Sequence, residues 1–154
     1  MKSLIPLFAA AALAACAAPQ SVQQRIEMKT TETAVSKYGF DETVSRLENA
    51  VKSKGMTVFA VIDHQAAAAA NGIVMQPAKV IVFGTPKAGT PLMAKDPHFA
   101  LQLPLKVLVT EHDGKIEAVF ESTRSLIAGS KITYAEVENT LANAEKLIRK
   151  TVAE

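Results

Sequence analysis

Two short segments carry the residue types from which a site could be built, and Asp63-His64 is the first. This pair follows an apolar run, where a carboxylate beside an imidazole could transfer protons or bind a metal ion. Asp63 could equally cap a following helix. A metal site would need a third ligand from His98, Glu111 or His112, and no spacing selects one. We therefore assign no catalytic, metal or cofactor position, and acid-base chemistry by the pair remains one hypothesis.

The second segment is rich in glycine. Gly84 and Gly89 have the spacing of the glycines in a phosphate-binding P-loop, with Thr90 near the position of its hydroxyl residue. The lysine that should follow the second glycine is absent, and Pro86 removes a backbone N–H donor. The segment therefore predicts a turn between a strand and a helix, without nucleotide binding.

Polar and glycine positions from these segments, with one glutamine downstream, could line a small pocket. They are Asp63, His64, Gly84, Thr85, Gly89, Thr90 and Gln102. No serine stands in the pattern of a nucleophile elbow. The leading hypothesis is a non-enzymatic domain that binds a small molecule or a protein. The alternatives are an envelope enzyme that uses Asp63 and His64, and a structural homodimer.

The N-terminus has the pattern of a secretion signal. Lys2 precedes a 12-residue apolar run over 4–15, which is too short to span a bilayer. The run ends in Leu13-Ala14-Ala15-Cys16, which resembles the lipobox of bacterial lipoproteins. We expect removal of residues 1–15 and acylation of Cys16, palmitate included. The alternative is an ordinary secretory signal that happens to carry a cysteine.

The expected location of the protein is the bacterial cell envelope. Two or three acyl chains on Cys16 would anchor the protein stably without spanning the membrane. Ala17 follows the cysteine, and by resemblance to the sorting rule of enteric bacteria this predicts the outer membrane, facing the periplasm. Residues 16–24 form a short polar tether, so the folded domain would stay near the lipid.

Composition excludes several classes of protein. The net charge of the 154-residue chain is only +2, which argues against a polybasic nucleic-acid binder and against an acidic tail. The single cysteine excludes an internal disulfide framework, a paired-cysteine zinc site and covalent c-type haem. The remaining length, 25–154, fits one domain.

Periodicity predicts a mixed fold. Strands are expected at 25–35, 56–62 and 79–83, and as a hairpin of 105–111 with 115–122, and both 56–62 and 79–83 should be buried. Helices are expected at 41–55, 65–71 and 91–95, and as one long helix after a capping box at Thr133. The hairpin favours α+β over a parallel sheet. We predict a two-layer sandwich: a mostly antiparallel sheet of about five strands with helices on one face.

Several motifs resemble the domain-of-unknown-function 302 family over about residues 30–127. They are Gly39-Phe40-Asp41-Glu42-Thr43-Val44, Lys54-Gly55-Met56, Ile62-Asp63-His64, Phe83-Gly84-x-Pro86-Lys87-Ala88-Gly89-Thr90-Pro91-Leu92-Met93 and Leu103-Pro104-Leu105-Lys106-Val107. The resemblance implies a two-layer α+β fold and a homodimer, with no assigned activity. This sequence departs from the family pattern at Thr85, where asparagine is usual, and at Gln102, where aspartate is usual.

Overall fold

The computed structural model describes residues 31–154. The predicted signal peptide, the cysteine that is predicted to be acylated, the predicted tether and the beginning of the predicted first strand lie outside the described residues. The strands are β1 (Thr31–Val35), β2 (Thr57–Asp63), β3 (Ala78–Gly84), β4 (Leu105–His112) and β5 (Lys115–Glu121). The helices are α1 (Phe40–Ser53), α2 (His64–Ala69), α3 (Pro86–Lys95), α4 (Thr123–Ile127), α5 (Tyr134–Val137) and α6 (Leu141–Ala153), with a 3-10 helix at Pro97–Gln102.

The five strands form one antiparallel sheet in the order β1-β5-β4-β3-β2. This confirms the predicted α+β fold with an antiparallel sheet of about five strands. The β4–β5 hairpin closes through Asp113 and Gly114, both with positive φ (51° and 72°). A two-residue turn of that conformation matches the twist of the flanking strands, which is why Asp-Gly predicts it. The sheet's order leaves β1 and β2 at its edges.

One face of the sheet packs against α1 and α6. Alternate residues of the central strands, such as Ile81 and Val107, are fully buried on this side. They meet the apolar stripes of the two helices, represented by Leu47 of α1 and Ile148 of α6. The stripes follow the spacing of three and four residues that places side chains on one helical face. Burial of this face is the main stabilising contribution to the fold.

A second apolar cluster lies beside the first. Its fully or nearly buried members are Leu92, Phe99, Ile132, Val137 and Leu141. They come from α3, the 3-10 helix, the segment before α5, α5 itself and the start of α6. This cluster connects α3 with the start of α6, at one end of the space between these two helices.

The prediction that 56–62 forms a buried strand was wrong. The strand exists, but β2 is an edge strand, and Phe59, Val61 and Ile62 are 50%, 40% and 45% exposed. An uninterrupted apolar run is compatible with a central strand and also with an apolar edge strand. Periodicity alone does not distinguish these two positions in a sheet. For 79–83 the predicted strand is confirmed as part of β3, a central strand in which Ile81 and Phe83 are buried and the residues between and before them are partly buried.

Two helix boundaries also differ from the predictions. Residues 84–91 were expected to form a loop, but α3 begins at Pro86 and contains Pro91. Pro86 suits the first turn because its fixed φ is helical and its missing N–H would have no partner there. The long C-terminal helix is interrupted at 138–140, where Thr140 leaves helical geometry (φ −126°, ψ −84°), so it is two helices. Helix α4 was not predicted.

Candidate functional site

A cavity of about 740 Å³ opens at the end of the sheet where β2 begins, β3 ends and β4 begins. Helices α3 and α6 form its side walls. Its volume lies within the range of small-molecule pockets in proteins. The lining residues are Lys54, Met56, Phe59, Gly84, Thr85, Pro86, Ala88, Gly89, Thr90, Met93, Leu103, Pro104, Leu105, Asn139, Thr140, Leu141, Asn143, Ala144, Lys146, Leu147 and Lys150. We call this space the α3–α6 cavity.

The wall of the α3–α6 cavity is mostly apolar. Aromatic, methionine and leucine side chains from β2, α3 and α6 supply the surface, with Phe59, Met93 and Leu147 as examples. Phe59 is half exposed, so a ligand in the cavity would remove apolar area from water. The polar side chains of the lining are threonines, asparagines and lysines. Such a site provides hydrophobic binding energy and a few hydrogen-bonding groups for orientation.

Gly89 allows α3 to approach the chain before β4. A Cβ atom added at this buried glycine would lie 3.1 Å from Cδ1 of Leu103, which is tighter than ordinary contact. At Gly84 the nearest atoms, in Phe59 and Pro104, would lie 3.7 Å away, an ordinary van der Waals distance. The predicted glycine-rich segment therefore forms part of a cavity wall. Of its two glycines, Gly89 leaves less room for a side chain than Gly84 does.

The structure brings four of the seven predicted pocket residues together. Gly84, Thr85, Gly89 and Thr90 all line the α3–α6 cavity, although Gly84 is the last residue of β3, Thr85 directly precedes α3, and Gly89 and Thr90 lie within α3 rather than in a loop. The other three do not line it. Asp63 borders a second hollow of about 520 Å³ next to α2, and His64 and Gln102 line neither space.

Asp63 has the structural role of a helix cap. One carboxylate oxygen accepts a hydrogen bond from the backbone N–H of Ala66 at 2.8 Å, and the other lies 3.5 Å from Nζ of Lys79. The hydrogen bond from Ala66, aided by the positive charge of Lys79, lowers the pKa of Asp63 below its ordinary value. His64 is exposed, and no hydrogen bond or ion pair joins it to Asp63 within residues 31–154.

The other candidate metal ligands are also dispersed. His112 lies in the exposed hairpin, 3.8 Å from carboxylate oxygens of Asp113 and Glu117. His98 is exposed in the 3-10 helix, and Glu111 is exposed on β4. In the part of the chain that the structure describes, no three histidine, cysteine or acidic side chains cluster as metal ligands would.

Asp96 connects the cavity's supporting segments and was missed by the sequence interpretation. Its two carboxylate oxygens accept hydrogen bonds from the backbone N–H of His98 at 3.2 Å and of Lys131 at 2.9 Å. The bond from Lys131 is the main reason why the pKa of this buried carboxyl is lowered. Asp-Pro before a short helix indicates the cap, but no local pattern indicates the bond to Lys131, 35 residues away.

Glu136 joins α3 to α5. Its carboxylate accepts hydrogen bonds from the backbone N–H and the hydroxyl of Thr133, which completes the predicted capping box, and it pairs with Nζ of Lys95 at 2.7 Å. The hydrogen bond from Lys95, followed by those from Thr133, lowers the pKa of Glu136 from 4.5 to about 2. The charged carboxylate therefore stabilises the folded state.

We expect Glu136→Gln to lower the melting temperature at neutral pH. Because the folded-state pKa is depressed, the contribution of Glu136 is fully present above pH 4.5 and disappears as the pH falls towards about 2. The difference in melting temperature between wild type and variant should shrink over that interval. Circular dichroism melts at a series of pH values measure it. Glu138→Gln, at an exposed position without an ion pair within 31–154, is the control, and an equal shift there would contradict the assignment.

The fold and the site together define a class of protein: a small α+β domain with an apolar cavity at one end of its antiparallel sheet. A family model with the description "Domain of unknown function DUF302" matches residues 32–153. The chain belongs to this family, as the motifs of its sequence suggested. The matched region includes both walls of the α3–α6 cavity.

Known proteins similar to this chain are of two kinds. The crystal structure of an uncharacterized conserved DUF302 protein from Bacillus stearothermophilus has a TM-score of 0.67 at 19% identity, covering 80% of this chain and 96% of that one, so it shares the fold. Fluoride-specific ion channel FluC 1 of Brucella suis and FluC 1 of Brucella abortus are each 38% identical over 85 residues, 54% of this chain. The chain spans about a third of the length of these relatives (34% and 32%). Within 31–154, no helix has the length and apolar character that crossing a membrane requires.

Proposed function

We propose that this protein is a non-enzymatic binding domain that holds a small, largely apolar molecule in the α3–α6 cavity. The observation that supports the proposal is the cavity itself: about 740 Å³, walled by apolar side chains, with a small number of polar groups. Pockets with this combination are typical ligand sites. The family membership agrees with the fold around the cavity and adds no activity.

The residue types in the cavity favour binding over catalysis. Among the described residues that line it there is no histidine, cysteine, aspartate or glutamate, and lysines are the only charged side chains. General acid-base catalysis is most often carried out by histidine or by carboxylate side chains, and none of these lines the cavity within residues 31–154. The rival enzyme hypothesis requires Asp63 and His64. Asp63, however, caps α2 and contacts Lys79, and both residues lie outside the cavity lining.

The proposal is tested by titration with a neutral apolar dye. We would use residues 16–154 with Ser at position 16, the predicted mature chain without its lipid acceptor, in the absence of detergent. Nile red is expected to give a saturable rise in fluorescence with one site per chain, and to raise the melting temperature, because a ligand that binds only the folded state stabilises it. A linear, non-saturating signal without thermal stabilisation would contradict the proposal.

We further propose that the domain is anchored in the bacterial envelope through Cys16. The support is the sequence pattern at the N-terminus, together with a region of 85 residues that is 38% identical to proteins named as fluoride-specific ion channels. Cells grown with labelled palmitate should label the wild-type chain, and Cys16→Ser should abolish the label and release the protein from the membrane fraction. Mutation of Ser21 to Ala, in the same tether, is the control. Unchanged labelling of Cys16→Ser would exclude this anchor.

A structural homodimer remains a second candidate because of β2. This edge strand has exposed Phe59, Val61 and Ile62, and its sequence TVFAVID contains none of the lysines or prolines that usually protect sheet edges. A second copy could pair with the edge antiparallel across a two-fold axis. Sedimentation of the mature chain should then show a dimer that Ile62→Lys converts to a monomer, whereas Val74→Lys, on an exposed loop, should not. A wild-type monomer at high concentration would exclude the dimer.

A further inference from the structure

The charges that line the α3–α6 cavity all have the same sign. Lys54, which follows α1, and Lys146 and Lys150 of α6 are exposed and belong to the lining. No acidic side chain is among the described lining residues. Since the whole chain has 17 basic and 15 acidic residues, this bias is local and does not reflect the composition. The opening of an apolar cavity is therefore positively charged.

These lysines have little internal compensation. Lys150 lies 3.5 Å from Glu154, but both side chains are 68% exposed, and such surface pairs contribute little. Lys54 and Lys146 have no carboxylate oxygen within 4 Å in residues 31–154, whereas Lys52 and Lys95 are paired. Both cations are therefore available to a ligand.

The spacing of the two lysines on α6 strengthens this point. Lys146 and Lys150 are four residues apart, so they lie one turn apart on the same helical face. Like charges at this spacing repel and slightly destabilise a helix. A negative group between them would reduce that repulsion, and the gain would be added to its attraction to Lys54.

We propose that the ligand of the α3–α6 cavity is a single-chain amphiphile with a carboxylate head, such as a fatty acid. This inference depends on the proposed binding function and adds the ligand class. The apolar chain lies against Phe59, Met93 and Leu147, and the carboxylate lies at the cavity opening near the lysines. Met93 suits an extended chain because methionine is unbranched and adapts its shape. No bond is made or broken.

The test compares carboxylates with alcohols of equal chain length. Octanoate, decanoate and dodecanoate, and the matching alcohols, would displace Nile red from the mature chain below their aggregation concentrations. Each added methylene should strengthen binding about fourfold in both series while the cavity has room. The carboxylate should bind about fivefold more tightly than the alcohol at low salt. That advantage should decrease at high salt because the charges are exposed.

Lysine variants test which residues cause the preference for the carboxylate over the alcohol. Lys54→Gln and Lys146→Gln should each weaken decanoate binding about threefold to fivefold and leave decanol binding unchanged. Lys115→Gln, in the hairpin at the other end of β4 and β5, is the control and should change neither. Equal affinity for decanoate and decanol, or equal sensitivity of both to the lysine variants, would overturn the carboxylate inference and leave the proposed function standing. Failure of both ligands to displace a saturably bound dye would overturn the ligand class and leave the proposed function standing, whereas absence of saturable dye binding would overturn the proposed function as well.

Discussion

Replacing Ala88 by Phe is expected to reduce the affinity of the mature chain for Nile red at least about tenfold. Ala88 lies on α3, is half buried and lines the α3–α6 cavity. A phenyl ring on this helix would occupy space that the dye needs, and displacing it would distort packed neighbours. The loss of about 1.4 kcal/mol corresponds to this factor of ten.

A matched control is available on the same helix. Ala94 is exposed and does not line the cavity, so Ala94→Phe should bind the dye like wild type. Both variants introduce a phenylalanine into the same helix. They differ in that position 88 lines the cavity and position 94 does not. Equal affinities of Ala88→Phe and Ala94→Phe, with both proteins folded, would show that the dye binds elsewhere.

Phe99→Ala should be the most destabilising single substitution that we describe. Phe99 is 2% exposed in the second apolar cluster, which connects α3 with the start of α6. Truncation of a buried phenylalanine costs about 3–5 kcal/mol, a large part of the 5–15 kcal/mol by which a domain is typically stable. Urea denaturation should show a correspondingly lower midpoint. If the variant has no folded baseline, Phe99→Leu, which leaves a smaller void, should show part of the loss.

Phe59→Ala provides the contrast to this variant. Phe59 is half exposed on the edge strand, so its truncation should cost only about 1 kcal/mol in stability. Because Phe59 lines the cavity, dye binding should nevertheless weaken. Similar losses of stability for the two phenylalanines would contradict the account of which one belongs to the core.

The local patterns of the sequence predicted most elements of the fold. The stripe of α1, the Asp113-Gly114 turn and the capping box at Thr133 each act within a few residues, so they can be recognised without the tertiary structure. The edge position of β2 could not be predicted in this way, because it depends on the order of the strands. The interruption at Thr140 also has no strong local signal.

The candidate site was predictable only where one segment supplies it. Gly84, Thr85, Gly89 and Thr90 are close in sequence, and they lie together in the cavity wall. The opposite wall comes from α6, more than 50 residues later. Of its lining residues, only Leu141 and Ala144 belong to the apolar stripe that periodicity predicts for the C-terminal helix. Lys54 follows α1, whereas Lys146 belongs to α6, and only the tertiary structure places these two exposed lysines in the lining of one cavity.

Methyl NMR of the mature chain with labelled methionines tests most directly whether the α3–α6 cavity is the binding site. Met56 and Met93 line this cavity, whereas Met75 borders the second hollow next to α2. Titration with decanoate should shift the methyl signals of Met56 and Met93 in a saturable manner and leave that of Met75 unchanged. A shift of Met75 alone, or no saturable shift of Met56 and Met93, would contradict the assignment.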